Sequence, residues 1–245
     1  MPNNLTYMTR LSVNINKVAL IRNSRSANLP DLVKIARDCE SFGAQGITVH
    51  PRPDERHVKF SDLPALKAVV KTEFNIEGYP NRHFLDAVKA VQAHQCTLVP
   101  DEPGQLTSDH GWDTLTRQDF LKDVIAELQG AGIRVSLFVD PDEKMLEGAK
   151  AAGADRVEFY TGPFAHDFQQ DPQQAIAAYT RCAHFANDIQ LGFNAGHDLN
   201  LDNLRFFKDR MPGLLEVSIG HALICDALYY GLHNTIQMYL RQLTD

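Results

Sequence analysis

Residues 46–57 read GITVHPRPDERH, and this stretch decides the fold prediction. The apolar run 47–49 follows a glycine and ends before Pro51, which cannot donate to a strand ladder, so it is typical of a short buried strand. His50 and Arg52 stand where that strand ends. In a parallel barrel the carboxyl ends of the strands face a shared mouth, so these side chains are predicted to face a ligand. A charged surface loop is the alternative interpretation.

The same alternation of strand and helix recurs along the whole chain. Further strands are predicted at residues 11–16, 74–79, 96–100, 135–140, 157–162, 191–197 and 214–221. Helical patterns lie between them, which gives units of roughly 30 residues, the length of a βα repeat. Eight such units in 245 residues favour a (β/α)8 TIM barrel over an open sheet. No linker or shift in composition divides the chain, so residues 1–245 are predicted to form a single domain.

Composition narrows the class of protein and its partners. With 44% hydrophobic and 22% charged residues the chain is typical of a globular protein. A net charge of -7 argues against binding of nucleic acid or an anionic membrane. The four cysteines lie far apart and are expected to be reduced thiols. Since no signal-peptide core or membrane-spanning run is found, a cytoplasmic location is predicted.

Polar side chains collect at the predicted strand ends. Acids and imidazoles that face one cavity can move protons near neutral pH, because burial shifts their pKa values. For Glu77 and Glu158 an alternative is a structural role inside the barrel, held by a lysine or arginine. Neither a metal-binding spacing of histidines and cysteines nor a dinucleotide fingerprint is present, so no metal and no cofactor are predicted. The residues expected at the mouth are Asn14, Asn16, His50, Arg52, Glu77, Glu158, Thr161, Asn194, His197, Gly220 and His221.

Two glycine-histidine pairs close the seventh and eighth strands. Gly196 and Gly220 are interpreted as turns whose backbone N–H groups bind phosphate, which barrels often do at these positions. Arg22, Arg25 and Arg52 are candidates for a second anionic group, with solvated surface charge as the alternative. The long polar stretch from residue 101 to 113 is predicted to be a mobile lid.

Several motifs together resemble the pyridoxine 5′-phosphate synthase family. They are GITVHxRxDxRH (46–57), NxE (75–77), CxLVP (96–100), VSLFVD (135–140), ExYTG (158–162), NAGHxLN (194–200) and IGHA (219–222). The resemblance implies a (β/α)8 barrel with a few extra helices, assembled as a homo-octamer built from dimers. It also implies a condensation of 1-deoxy-D-xylulose 5-phosphate with 3-amino-2-oxopropyl phosphate, which gives pyridoxine 5′-phosphate, phosphate and water.

The resemblance also implies roles for individual residues. It makes His50 and Glu77 proton acceptors, His197 a proton donor and Glu158 a group that stabilises a transition state. The implied contacts of the aminoketone phosphate are Asn14, Arg25, Gly220 and His221. Those of the deoxyxylulose phosphate are Arg52, His57 and Thr107.

The sequence departs from the family pattern around the predicted mouth. Asn16-Lys17 replaces the family's Asp-His, and Asp198 replaces a glycine. Lys17 can bind phosphate as a point charge, whereas Asp198 is expected to repel it. The segment after Pro100 lacks the usual basic pair and glutamate. These changes motivate two alternatives, a divergent paralogue that condenses a different sugar-phosphate and aminoketone pair, and a non-catalytic barrel that binds phosphorylated metabolites.

Overall fold

Eight parallel strands, each paired with the next in the chain, form a closed barrel in this computed structural model, which describes residues 8–101 and 108–244. The last strand pairs with the first, with Arg10 opposite Glu216. The predicted (β/α)8 barrel is therefore confirmed. The strands are β1 (Arg10–Asn14), β2 (Gly46–Val49), β3 (Glu73–Gly78), β4 (Gln95–Leu98), β5 (Arg134–Val139), β6 (Arg156–Tyr160), β7 (Gly192–His197) and β8 (Glu216–Ile219).

Eleven α-helices surround the barrel in the described residues, more than the eight of a minimal (β/α)8 unit. Gly231 separates the last two with a φ of +75°, a backbone conformation that suits glycine. The helices are α1 (Asn16–Asn23), α2 (Leu32–Ser41), α3 (Leu63–Val69), α4 (Arg82–Val91), α5 (Gln118–Gly130), α6 (Glu143–Ala152), α7 (Gly162–Asp167), α8 (Pro172–Asp188), α9 (Leu204–Lys208), α10 (His221–Tyr230) and α11 (Leu232–Leu243).

Short polar side chains begin several of these helices. Asp31, Asn81, Asp142 and Asp171 each accept a hydrogen bond from a backbone N–H in the first turn of α2, α4, α6 and α8. Each such cap stabilises its helix by about 1 kcal/mol, because it satisfies a donor that has no partner within the helix. These caps fix where the chain leaves each strand end and turns into the following helix.

The end of the first strand differs from the prediction. Asn16 was expected on the strand, but it is the first residue of α1. The side-chain oxygen of Asn14 accepts a hydrogen bond from the backbone N–H of Asn16 at 3.0 Å, which turns the chain directly after β1. The prediction of a strand to residue 16 is therefore wrong by two residues at its carboxyl end.

The two faces of the strands bury different types of side chain. Outward side chains such as Leu11, Val13, Ile47 and Val49 are fully buried against the helices. Inward side chains are largely polar: the hydroxyls of Ser12 and Thr48 lie 2.7 Å apart, and the Thr97 hydroxyl donates to the side-chain oxygen of Asn75 at 3.1 Å. Barrel interiors are usually filled by branched aliphatic side chains. This barrel instead has a hydrogen-bonded axis that leads to the mouth.

The predicted lid lies only partly within the described residues. Residues 102–107 lie outside the described part of the chain. Residues 108–113 pack on the barrel: the indole N–H of Trp112 donates to the carbonyl of Leu98 at 3.0 Å, and its backbone N–H donates to the carbonyl of Phe138 at 2.9 Å. Trp112 is buried. The prediction that the whole stretch from 101 to 113 is mobile is therefore wrong for this half, because Trp112 anchors it.

No helix in residues 8–101 and 108–244 is long and apolar enough to cross a membrane. All four cysteines are free thiols, as expected, and three of them are buried.

Candidate active site

A cavity of about 450 Å³ opens at the carboxyl ends of the strands. His50, Glu77 and His197, which come from three different strand ends, all line it. Twelve of the predicted site residues meet there: Asn14, Asn16, Lys17, His50, Arg52, His57, Glu77, Glu158, His197, Asp198, Gly220 and His221. Arg25 is exposed and is not among the lining residues, and Thr107 lies outside the described residues. Thr161 and Asn194, also expected at the mouth, are buried and do not line the cavity; the side-chain oxygen of Asn194 instead accepts a hydrogen bond from Arg156.

The polar end of β1 positions the first two catalytic candidates. The Nδ2 group of Asn14 donates to Oε2 of Glu77 at 3.3 Å, and Nδ1 of His50 lies 4.0 Å from the same oxygen. The side-chain oxygen of Asn16 accepts the backbone N–H of His50 at 2.9 Å. The two asparagines thus hold His50 and Glu77 side by side. The asparagine side chains are amides and do not themselves transfer protons.

Burial sets the protonation of this pair and of Glu158. It raises the pKa of Glu77 to about 8, with a further contribution from the Asp101 carboxylate, and it raises the pKa of Glu158 well above its usual range. Burial also lowers the pKa of His50 well below its usual range, and the charge of Arg52 adds to this. At neutral pH the imidazole of His50 is therefore neutral, burial favours the protonated carboxyl of Glu158, and Glu77 titrates near pH 8.

Gly196 makes room for Glu158. A Cβ at this glycine would lie 2.7 Å from Oε1 of Glu158 and 2.7 Å from the carbonyl oxygen of Ser218. The strand β7 continues through Gly196 to His197, so the prediction that Gly196 forms a phosphate-binding turn is wrong. The other oxygen of Glu158 has no hydrogen-bond partner in the described part of the chain. The contacts therefore do not favour a structural role held by an arginine or lysine.

His197 forms a close pair with its neighbour in the chain. Its Nδ1 lies 2.6 Å from Oδ2 of Asp198, and the ring of Tyr160 packs edge-on at 5.6 Å between ring centres. His197 also has a left-handed φ of +80°, which is uncommon for a residue other than glycine. Asp198, which the sequence suggested as a repulsive charge, thus contacts the candidate proton donor.

A second polar cluster lies beside His50, whose ring centre is 6.2 Å from that of His57. Nη2 of Arg52 lies 2.6 Å from Oδ2 of Asp101, which also accepts a hydrogen bond from the hydroxyl of Ser108 at 2.8 Å. Burial and the charges of Arg52 and Arg56 lower the pKa of His57 to about 4, so its ring is neutral at pH 7. Sequence reasoning missed Asp101 and Ser108. The position of Asp101 just after β4 was the only signal for it.

Arg22 has a structural role. Its guanidinium binds both carboxylate oxygens of Asp62 at 2.8 and 2.9 Å and donates to the backbone carbonyl of His57 at 3.3 Å. The prediction that Arg22 contacts an anionic ligand is therefore wrong. Arg22 lies in the last turn of α1, from which it reaches the loop after β2 instead of the cavity.

The start of α10 provides a different kind of polar surface. His221 is the first residue of this helix, and Gly220 precedes it; both line the cavity. The backbone N–H groups of a first helical turn have no partners within the helix and favour anions. A Cβ at Gly220 would lie 3.0 Å from Cβ of Asn14, so a larger residue would crowd the end of β1.

In residues 8–101 and 108–244 no group of three or more His, Cys, Asp or Glu side chains could hold a metal ion.

Comparisons with known proteins agree with this geometry. A family model described as pyridoxal phosphate biosynthesis protein PdxJ matches residues 11–245. Two relatives, both named pyridoxine 5′-phosphate synthase, are 59% identical to the chain. The relative from Cytophaga hutchinsonii aligns over 236 residues, which cover 96% of this chain and 99% of the relative. The relative from Bacteroides fragilis aligns over 232 residues, which cover 95% and 98%.

Solved structures of low sequence identity share the fold. A thiamine phosphate pyrophosphorylase from Pyrococcus furiosus superimposes with a TM-score of 0.63 at 14% identity, over 98% of both chains. At this identity the likeness shows the barrel alone. The family model and the two close relatives carry the assignment of function. The chain therefore belongs to the PdxJ family of pyridoxal phosphate biosynthesis proteins, as its sequence motifs indicate.

Proposed function

We propose that the chain is a pyridoxine 5′-phosphate synthase, which condenses 1-deoxy-D-xylulose 5-phosphate with 3-amino-2-oxopropyl phosphate to give pyridoxine 5′-phosphate, phosphate and water. The observation that carries the proposal is the single cavity shared by His50, Glu77 and His197. Joining an amine to a ketone and closing an aromatic ring needs proton transfers in both directions. A neutral imidazole, a carboxyl that titrates near pH 8 and a second imidazole supply them within one site.

The surroundings of the acid and base groups support the roles proposed for them. His50 is neutral at pH 7 and accepts a proton, and Glu77 accepts one in its ionised form. His197 donates a proton, with its ring oriented by the hydrogen bond from Nδ1 to Asp198. Burial favours the protonated form of Glu158, which donates a hydrogen bond to charge that develops on oxygen in the transition state.

The two phosphates occupy opposite sides of the cavity in this proposal. The aminoketone phosphate contacts the start of α10 at Gly220 and His221, together with Asn14, where unpartnered backbone N–H groups favour an anion. The deoxyxylulose phosphate contacts Arg52 and the neutral ring of His57. Buried Nδ1 of His57 has no hydrogen-bond partner in the described residues, which fits a ligand contact. Arg25 and Thr107 are further proposed phosphate contacts.

The departures from the family pattern are compatible with this activity. The side-chain oxygen of Asn16 accepts the backbone N–H of His50, a contact that needs an acceptor and not a charge. Lys17 lines the cavity and supplies a cation close to the proposed phosphates. Asp198 contacts His197 and thereby has a role that a glycine cannot fill.

A direct assay tests the proposal. Purified protein with both substrates is expected to form an absorbing pyridine ring, and Glu77→Gln is expected to abolish it. Glu147→Gln, at an exposed position of α6, is the matched control and is expected to keep full activity. Full activity in the Glu77 variant would rule out the assigned chemistry. Product from a different ketone and amine pair would favour the divergent paralogue, and calorimetric binding of both phosphates without turnover would favour a binding protein.

We also propose that the chain works in the cytoplasm as a homo-octamer built from dimers. Large apolar side chains are exposed on two helices that pack together, Leu20 and Ile21 on α1 and Leu228, Tyr229 and Tyr230 on α10. Tyr229 is 87% exposed, and such a patch is typical of a contact between subunits. Light scattering is expected to give the mass of eight 27.4 kDa chains, and Tyr229→Glu is expected to reduce it. A monomeric mass for the unaltered chain would contradict the proposal.

A further inference from the structure

A second and larger cavity, of about 880 Å³, opens at the opposite end of the barrel. Its walls include Arg10, Glu73, Arg134 and Arg156, which are the first residues of β1, β3, β5 and β6. None of the residues that line it lines the active-site cavity. The proposed synthase reaction therefore gives this cavity no role, although it brings three guanidinium groups together.

Glu73, the acidic residue that lines this cavity, already interacts with two arginines. Glu73 forms an ion pair with Arg134, and its other oxygen lies 3.9 Å from Arg10. The Nε group of Arg134 also donates to the side-chain oxygen of Gln95 at 2.8 Å. One carboxylate is thus shared between two guanidinium groups, which leaves a positive charge unbalanced before the third arginine is counted.

The third arginine, Arg156, is half-buried and lacks a carboxylate partner. Its guanidinium donates to the side-chain oxygen of Asn194 at 3.3 Å, and within the described residues no carboxylate oxygen lies at ion-pair distance. Glu216 is the other nearby acid, but it is buried and is not among the residues that line the cavity, and burial raises the pKa of its carboxyl, which favours the neutral form. One ionised carboxylate therefore faces three arginines, and the cavity carries an excess of about two positive charges.

A purely structural role fits these contacts less well. A cluster that only closes the bottom of a barrel is expected to pair its charges, since an unpaired charge removed from water is destabilising. Arg156 instead packs its stem closely on Gly192, the first residue of β7, where a Cβ would lie 3.0 Å from its Cγ, while the residue lines the open cavity. Arg156 thus lines a cavity, is half-buried and has no carboxylate partner among the described residues, which are the properties of an anion site.

We infer that this cavity at the amino ends of the strands is a second binding site, for a phosphate dianion held by Arg156 together with Arg134 and Arg10. A dianion matches the excess of charge, and guanidinium groups bind phosphate oxygens with paired hydrogen bonds. The ligand is inorganic phosphate or the phosphate group of a small monoester. The site is separate from the reaction at the other end of the barrel, and it stands whether or not the proposed synthase activity is correct.

Calorimetry on the full-length protein tests the inference. Titration with inorganic phosphate is expected to reveal two classes of site in the unaltered chain. Arg156→Gln is expected to remove one class and Arg52→Gln, in the active site, to weaken the other. Lys122→Gln, an exposed residue of α5, changes the net charge equally and is expected to leave both classes intact. A parallel titration with glycerol 3-phosphate distinguishes a monoester from free phosphate as the tighter ligand.

A milder variant covers the case in which Arg156→Gln does not fold. Arg10 is 58% exposed, and its removal leaves the ion pair between Arg134 and Glu73 in place. Arg10→Gln is expected to weaken phosphate binding at this site about tenfold, the size of one charge-assisted hydrogen bond. Phosphate binding that stays unchanged in both Arg156→Gln and Arg10→Gln would overturn the inference.

Discussion

Replacing Glu77 by glutamine is expected to stabilise the protein while it abolishes synthase activity. In the unfolded chain this carboxyl has an ordinary pKa of 4.5, so it is ionised at pH 7, whereas in the fold its pKa is about 8 and it is mostly protonated. The unfolded state of the unaltered protein therefore gains stability from ionisation that the folded state does not share. Glutamine stays neutral in both states, and its oxygen can still accept the hydrogen bond from Asn14.

The size of this effect depends on pH in a defined direction. Below pH 4.5 both states of the unaltered protein carry a protonated Glu77, and the two proteins are expected to be equally stable. As pH rises, the unfolded state ionises first, so the advantage of Glu77→Gln grows to about 3 kcal/mol at pH 7. It levels off above pH 8, where the folded carboxyl ionises as well. For a chain of this length, 3 kcal/mol corresponds to about 6 °C or more in the unfolding midpoint.

Thermal unfolding at several pH values, at one protein concentration, measures this difference. Midpoints of the unaltered protein, Glu77→Gln and the surface control Glu147→Gln are compared between pH 4.5 and pH 8.5. The gap for Glu77→Gln is expected to widen with pH, and the control is expected to follow the unaltered protein. A gap that stays constant with pH, or a Glu77 variant that is less stable at pH 8, would refute the argument that burial opposes ionisation of this carboxyl.

Three further predictions concern the same mouth. Gly196→Ala is expected to lower the free energy of unfolding by about 1–3 kcal/mol, measured by urea unfolding, and to lower kcat, because its Cβ would collide with Glu158. Unchanged activity in this variant would contradict the packing of Glu158 on Gly196. Asp198→Gly is expected to lower kcat about 10- to 100-fold with little change in KM. Asp198→Asn keeps an acceptor for His197 and is expected to lower kcat less. Equal losses of kcat in the two variants would argue against an orienting role of Asp198. In a pH–rate profile, kcat/KM is expected to rise toward about pH 8 as Glu77 ionises, and a flat profile from pH 6 to 9 would exclude Glu77 as a base.

The order of strands and the members of the mouth could be predicted from sequence because both depend on local patterns. Apolar runs mark the strands, and a polar residue just after a run marks the mouth, as for His50 and Glu77. The direction in which a long side chain points depends on how the helices pack, and the pattern of apolar and polar residues carries no information about that packing. Arg22 and Arg52 have the same charge and both follow strands, yet Arg22 pairs with Asp62 outside the cavity.

The sequence could also not show which of the two glycines, Gly196 or Gly220, lies in a turn. Gly196 and Gly220 occur in similar strings, each followed by a histidine. Gly220 precedes a helix, as a phosphate-binding turn requires, whereas Gly196 lies within β7 and accommodates Glu158. The difference arises from a contact between neighbouring strands. Such a contact depends on the register of the barrel and not on the residues next to the glycine.

The hydrogen-bonded interior of the barrel has an evolutionary consequence. Ser12 with Thr48, and Asn75 with Thr97, are partners deep inside the strands. Nδ2 of Asn75 also donates to the hydroxyl of Thr48 at 3.4 Å, so the four side chains form one hydrogen-bonded chain. An apolar substitution of one member removes hydrogen bonds from its neighbours, which destabilises by about 1–3 kcal/mol where a neighbour is left unsatisfied, whereas replacing all the bonded groups with apolar groups of similar shape is nearly neutral. Descendants of this sequence are therefore expected to change these four positions together, and a library that mutates them one at a time would find few viable intermediates.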